Sequence, residues 1–329
     1  MHHLIGAAVA AALTVLAGTA TAQTPAPKDL PPRVELHTIP TMTITDSQFL
    51  AGDAAGKEVT LAGELSLAQG SGKLPLVVLM HGSGGIGGNV GYWKRQLNGM
   101  GISTFTIDGV TGRGFTGVGD KQASLGRLAF ILDIYRSLEI LAKHPRVDAS
   151  RIALMGFSRG GQAALYASLD RFHKQWNKSG VAFAGYIAFY PDCATTYRED
   201  TAVAARPIRI FHGTPDNYNP VATCKAYVER LKKAGADVAL TEYPNAPHGF
   251  DNPLGANPPV ATKADQSVRD CRIREDDKAT LINDATGKPF SYTDECVRIG
   301  PTVGADPEAT QAVTVAVADF MKTVLLTAK

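Results

Sequence analysis

One pentapeptide limits the folds open to this chain more than any other: Gly156-Phe157-Ser158-Arg159-Gly160. The run Ile152-Ala153-Leu154-Met155 before it has the length and apolarity of a buried strand. Gly161-Gln162-Ala163-Ala164-Leu165-Tyr166-Ala167 after it is rich in helix formers. A strand turning straight into a helix through Gly-x-Ser-x-Gly bends too sharply for a Cβ at either glycine. It also holds the serine in a strained backbone conformation. The Ser158 hydroxyl then stands clear of the sheet at a helix N-terminus, where negative charge is favoured. A serine held in this way is a candidate nucleophile.

The rest of the chain fits the same architecture. Strands are expected at Val34–Ile44, Lys57–Leu67, Leu76–Met80, Ile102–Asp108, Ile152–Met155, Tyr186–Tyr190, Ile208–Phe211 and Ala239–Tyr243. Helices are expected at Leu125–Ala142, with a stripe of Leu128, Leu132, Tyr135 and Leu138, at Val221–Ala234, and at about Pro307–Leu326. Strands alternating with helices give an α/β fold, a parallel sheet with helices on both faces. Ligands of such sheets bind beyond the carboxyl ends of the strands. Residues 249–305 break the rhythm. They are polar, rich in Asp, Asn, Pro and Thr, and read as an insertion near the mouth of the site. There are no internal repeats, and residues 33–329 read as one domain.

The 329 residues carry a net charge of +2 with no Lys/Arg run, which argues against nucleic acid or an anionic membrane as a partner. Leu4–Ala17 is apolar and uncharged, and Ala20-x-Ala22 is a small-residue cleavage signal. Residues 1–22 therefore read as a signal peptide, with no stable membrane insertion, and residues 23–32 as an unstructured, proline-rich leader. Export to a periplasmic or extracellular space allows the four cysteines to pair. Cys193 follows one strand and Cys224 begins the helix after the next, which brings them together. Cys271 and Cys296, flanking a polar loop, form the second pair. No cysteine pair has zinc-ligand spacing, so no metal is expected.

A serine nucleophile needs a base. In this architecture the chain order is serine, acid, histidine. His248, in Asn245-Ala246-Pro247-His248-Gly249-Phe250, follows the last expected strand of the sheet and is the expected base. His212 is expected to brace its own turn, and His173 to be solvated. Asp216, in His212-Gly213-Thr214-Pro215-Asp216-Asn217, is the expected acid, with Asp192 in reserve and Asp251 behind it. Oxyanion donors are expected from the Arg159 N–H and from Gly82 or Ser83 in His81-Gly82-Ser83-Gly84-Gly85. Arg113 reads as a contact for a substrate carboxylate or as a turn residue. Tyr92 and Trp93 read as the lining of an acyl pocket or as helix packing.

From Leu74 onward the chain resembles the dienelactone hydrolase-like α/β-hydrolases. The resemblance rests on His81-Gly82-Ser83-Gly84-Gly85, on His144-Pro145-Arg146-Val147-Asp148 leading into the elbow, on His212-Gly213 with Asp216, and on Pro247-His248-Gly249-Phe250. It implies an α/β-hydrolase fold with an eight-stranded, mostly parallel sheet. It also implies cleavage of ester-type bonds without a cofactor, with Ser158, Asp216 and His248 as nucleophile, acid and base. The founding members use cysteine where this chain has serine, so a serine carboxylesterase is the expected activity. Its rivals are a peptidase or acyltransferase on the same core, and an exported binding protein with an inactive pocket.

Overall fold

The computed structural model describes residues 30–327. The expected signal peptide and leader residues 23–29 lie outside them. The described end of the leader is tied down, because Leu30 exchanges two backbone hydrogen bonds with Gly70.

Eight strands form one sheet: β1 (Arg33–Thr43), β2 (Lys57–Leu67), β3 (Leu74–Met80), β4 (Ser103–Asp108), β5 (Val147–Phe157), β6 (Tyr186–Phe189), β7 (Ile208–Gly213) and β8 (Val238–Tyr243). Their spatial order is β1-β2-β4-β3-β5-β6-β7-β8. The six strands from β3 to β8 run parallel, and β2 lies antiparallel to both β1 and β4. All eight expected strands are present, each within a few residues of its expected bounds.

The strands β3 and β6 are apolar throughout because both faces are covered. Successive side chains of β3 go to opposite sides. Leu76, Val78 and Met80 enter one core, while Val77 and Leu79 enter the other. The first core is roofed by α3 (Ala129–Leu141), α4 (Arg159–Tyr166), α5 (Asp170–Trp176) and α6 (Val221–Lys233). The second is covered by α2 (Gly88–Gly99) and α7 (Pro307–Met321). With its π-helical extension to Leu326, α7 is long and apolar enough to cross a membrane. Its Val313, Val317 and Met321 are buried in the second core.

Both expected disulfides are formed, Cys193–Cys224 and Cys271–Cys296. Segment 249–305 is not structureless. Short ladders pair Val260–Ala261 with Thr302–Val303, Gln266–Ser267 with Arg298–Ile299, and Ile273–Glu275 with Leu281–Asn283. Ile273 and Arg274 also pair with Thr195 and Thr196, which ties the insertion to the loop after β6.

Candidate active site

The turn from β5 into α4 follows the steric argument. Ser158 has φ 54° and ψ −116°, a left-handed conformation that costs a non-glycine residue free energy. A Cβ on Gly156 would lie 1.9 Å from the Gly160 carbonyl oxygen, and one on Gly160 would lie 2.1 Å from that of Met80. Neither position admits a side chain. Arg159 begins α4, where its N–H has no acceptor within the helix.

Three loops at the carboxyl ends of the strands bring the expected polar residues to this turn. His248 Nε2 lies 2.9 Å from Ser158 Oγ, and His248 Nδ1 lies 2.8 Å from Asp216 Oδ2. The other carboxylate oxygen of Asp216 accepts the N–H groups of Tyr218 (2.8 Å) and Asn219 (2.9 Å). Burial alone would push the Asp216 carboxyl up. Its partners His248 and His212 outweigh that and hold it well below the usual carboxylate range. His212 braces the turn as expected, its Nε2 donating to the Asn219 carbonyl at 2.7 Å. His173 is half-buried, with Nε2 2.8 Å from Asn177 Nδ2.

The imidazole of His248 is also held by two aromatic rings that the sequence did not single out. Tyr190 and Tyr218 both lie 4.6 Å from it, centroid to centroid. Tyr190 itself is strained at φ 36° and is anchored by its hydroxyl, which donates to Asp251 at 2.6 Å.

The glycine loop after β3 packs against the serine. A Cβ on Gly82 would lie 3.2 Å from the Ser158 Cβ. His81 Nε2 accepts the Gly109 N–H (2.9 Å), so its Nδ1 carries the proton and donates to the Gly82 carbonyl (2.6 Å). Gly85 N–H donates to the same oxygen. Burial keeps His81 neutral by lowering its pKa. Because the Gly82–Ser83 peptide is planar and trans, fixing the Gly82 carbonyl aims the Ser83 N–H the opposite way.

Arg113 at the substrate, and Tyr92 and Trp93 as acyl-pocket lining rather than helix packing, are expectations the structure overturns. Arg113 does not reach the site and is not a surface turn residue. Its side chain is 1% exposed and forms a bidentate pair with Asp133 at 2.7 and 2.9 Å. It also donates to the Gly109 and Met42 carbonyls and to Thr43 Oγ1. Tyr92 and Trp93 line no acyl pocket. Tyr92 Oη bonds Thr314 on α7, and Trp93 is buried with Nε1 donating to Asp251 at 2.7 Å. Asp251 therefore serves Trp93 and Tyr190, not His248. Asp192, the reserve acid, pairs with Arg127.

Asp251 makes a pH prediction. Burial pushes its carboxyl from the ordinary 3.8 to about 6, the hydrogen bonds from Tyr190 and Trp93 pulling it only partly back. The folded chain therefore binds this proton more tightly than the unfolded chain does. The stability it contributes is fully present below pH ~4 and is lost as pH rises through 6, on the order of 2–3 kcal/mol. Asp251→Asn is expected to flatten the melting temperature between pH 4 and pH 7. A melting profile with unchanged pH dependence would remove Asp251 as its source.

One group of potential metal ligands lies away from the elbow, below the amino end of β5. Glu35, His37 and His144 have their ligand atoms within 4.8 Å of one another. His144 Nδ1 accepts the Arg146 N–H, so Nε2 carries the proton and donates to Glu35 at 2.9 Å. Arg33 also pairs with Glu35. That bonding suits a paired carboxylate and leaves no free Nε2 lone pair on His144 for a metal ion.

The eight-stranded, mainly parallel sheet with its serine elbow defines the fold as that of an α/β-hydrolase. The chain belongs to the dienelactone hydrolase family, whose family model matches residues 69–275. The match ends inside the 249–305 segment. No curated protein matches the sequence. Among solved structures, a carboxylesterase from Lactobacillus plantarum is 15% identical with a TM-score of 0.55, the alignment covering 90% of this chain and 100% of that one. A dienelactone hydrolase-like promiscuous phosphotriesterase from metagenomic libraries is also 15% identical, with a TM-score of 0.55 and coverage of 88% and 98%. At these identities the likeness is one of fold.

Proposed function

We propose that this protein is an exported serine hydrolase that cleaves carboxylic esters through an acyl-enzyme. The observation that carries the reading is the continuous hydrogen-bonded line from Ser158 Oγ to His248 Nε2, and from His248 Nδ1 to Asp216. Ser158 Oγ bonds to the ester carbonyl carbon as His248 takes its proton. The carbon–oxygen bond to the alcohol then breaks, and His248 returns that proton to the departing oxygen. Water repeats the sequence on the acyl-serine, releasing the acid and restoring Ser158. Asp216, kept ionised, holds the His248 tautomer and steadies the imidazolium. The negative oxygen of the tetrahedral intermediate is received by the N–H groups of Arg159 and Ser83. Ser83 is preferred over Gly82 because the bonds from His81 and Gly85 to the Gly82 carbonyl fix the plane of the Gly82–Ser83 peptide.

The two disulfides fit an oxidising compartment, which agrees with removal of residues 1–22 during export. The test is covalent labelling by a fluorophosphonate probe. Wild type is expected to label and Ser158→Ala is not. A folded wild-type protein that takes no label would overturn the reading.

A further inference from the structure

Ser158 stands between two spaces of different character. The outer cleft has a volume of about 210 Å³ and contains His248 and the glycine loop. The inner chamber, about 30 Å³, lies on the other side of Ser158, Ser83 and Tyr218. That is room for about two water-sized groups. His248 must hand a proton to the departing alcohol, so the alcohol belongs in the outer cleft and the acyl group in the chamber.

Polar side chains dominate the chamber wall, and Val268 is its one aliphatic member among the described residues. Its cations are already occupied. Arg127 pairs with Asp192 and donates to Tyr292 Oη at 2.8 Å. Arg159 gives its guanidinium N–H groups to the carbonyls of Leu125 (3.0 Å), Gly126 (3.4 Å) and Gln122 (3.1 Å). Among the described residues three side-chain amides of the wall keep an unpaired group: the oxygens of Asn219 and Gln162 and the nitrogen of Gln266. Asn219 Nδ2 donates to the Tyr190 carbonyl at 2.9 Å, which fixes the orientation of its amide. Its Oδ1 takes no donor among the described residues. Gln162 sits one turn along α4 from Ser158. Its Nε2 reaches Tyr197 Oη at 3.5 Å, and its Oε1 also takes no donor among the described residues. Gln162 and Asn219 are only 4% and 6% exposed, yet neither oxygen is sealed off by its neighbours. Both residues line the chamber. Buried acceptors of this kind need a donor, and an apolar group in their place would leave them unpaired.

We infer that the chamber selects short acyl groups carrying a hydroxyl next to the carbonyl, of glycolyl size, with the bulk of the ester on the alcohol side. This deepens the serine-esterase reading and rests on it. The hydroxyl donates to Gln162 or Asn219 while Ser158 bonds to the carbonyl carbon. Water then releases the free hydroxy acid.

Glycolyl and propionyl esters of one alcohol test the idea, because they differ by a hydroxyl in place of a methyl. Each kcat/KM is divided by the rate constant for hydroxide hydrolysis of the same ester, which removes intrinsic reactivity. The glycolyl ester is expected to lead the propionyl ester by at least about tenfold. Hexanoyl is expected to fall about a hundredfold or more below propionyl, since it overfills the chamber. Gln162→Met, which keeps volume and loses the amide, combined with Asn219→Leu, is expected to bring the glycolyl-to-propionyl ratio close to one. A wild-type ratio of one or less, or equal turnover of hexanoyl and propionyl, overturns the inference whether or not the variant folds. A folded Gln162→Met/Asn219→Leu double variant with the full wild-type ratio also overturns it. If the protein labels with fluorophosphonate but prefers apolar acyl groups, only this inference falls. If it neither labels nor cleaves any ester, both readings fall.

Discussion

Ser158→Ala and His248→Ala are each expected to lower kcat toward a chromogenic acetate ester by roughly six orders of magnitude, and the double variant no further. In the proposed mechanism the three side chains act as one unit. Removing the nucleophile leaves the imidazole nothing to activate, and removing the imidazole leaves a hydroxyl that is neutral at pH 7. Asp216→Asn is expected to cost about 10⁴ in kcat, since an amide no longer fixes the tautomer or the charge of His248. Its backbone contacts to Tyr218 and Asn219 make an isosteric variant preferable to alanine. Single-turnover kinetics on purified variants check these values. Additive losses in the Ser158/His248 pair would mean that the 2.9 Å contact between them is not used in the reaction.

Arg113→Ala is expected to have the largest effect on stability, about 3–5 kcal/mol, with kcat/KM of the folded protein unchanged. The guanidinium and the Asp133 carboxylate are almost wholly buried, at 1% and 0% exposure. Burial pushes the Asp133 carboxyl up even with Arg113 beside it. Deleting the arginine strands that carboxylate, and it also leaves the carbonyls of Met42 and Gly109 without this donor. Replacing both partners by apolar residues is expected to recover only part of the loss, because those carbonyls and the Thr41 hydroxyl bonded to Asp133 still lack partners. Denaturant unfolding of the single and double variants gives the numbers. A fall in kcat/KM without a fall in unfolding free energy would return Arg113 to the substrate.

These two sites mark how far the sequence can be read. The sheet was legible because strands such as β3 and β6, covered on both faces, must be apolar at every position. The elbow was legible because both glycines fall within five residues around the serine, although only Gly156 answers a demand set inside the turn and Gly160 makes room for the Met80 carbonyl of β3. Asp216 and His248 follow from chain order and from their places after strands. Arg113 was misread because it lies in a glycine turn, where a charge ordinarily faces water. Its inward course depends on Asp133 in a helix that begins well past that turn. The short helices α1 (Asp46–Ala51) and α5 carry too few turns to show a period. Gln162 and Asn219 look in sequence like surface amides. Only the spacing of four residues from Ser158 to Gln162 put that side chain within reach of notice. Tyr190 gave no local sign of its strained backbone, since the fold imposes it.

The turn from Asp216 to Asn219 holds the proposed acid at one end and the proposed acyl-reading amide at the other. Drift in this short stretch would disturb turnover and selectivity together, so it is poor ground for acquiring a new substrate. Another part of the wall has a different origin. Gln266, Ser267, Val268 and Tyr292 come from the laddered insertion, which is braced by its own disulfide and contributes neither Ser158, His248 nor Asp216 to the reaction. The same segment also steadies the site, since Ser267 Oγ donates to the Tyr218 carbonyl and the Gly304 N–H to the His248 carbonyl. An engineer wishing to enlarge the acids accepted would therefore begin with Val268 and Tyr292 and leave those two anchors in place.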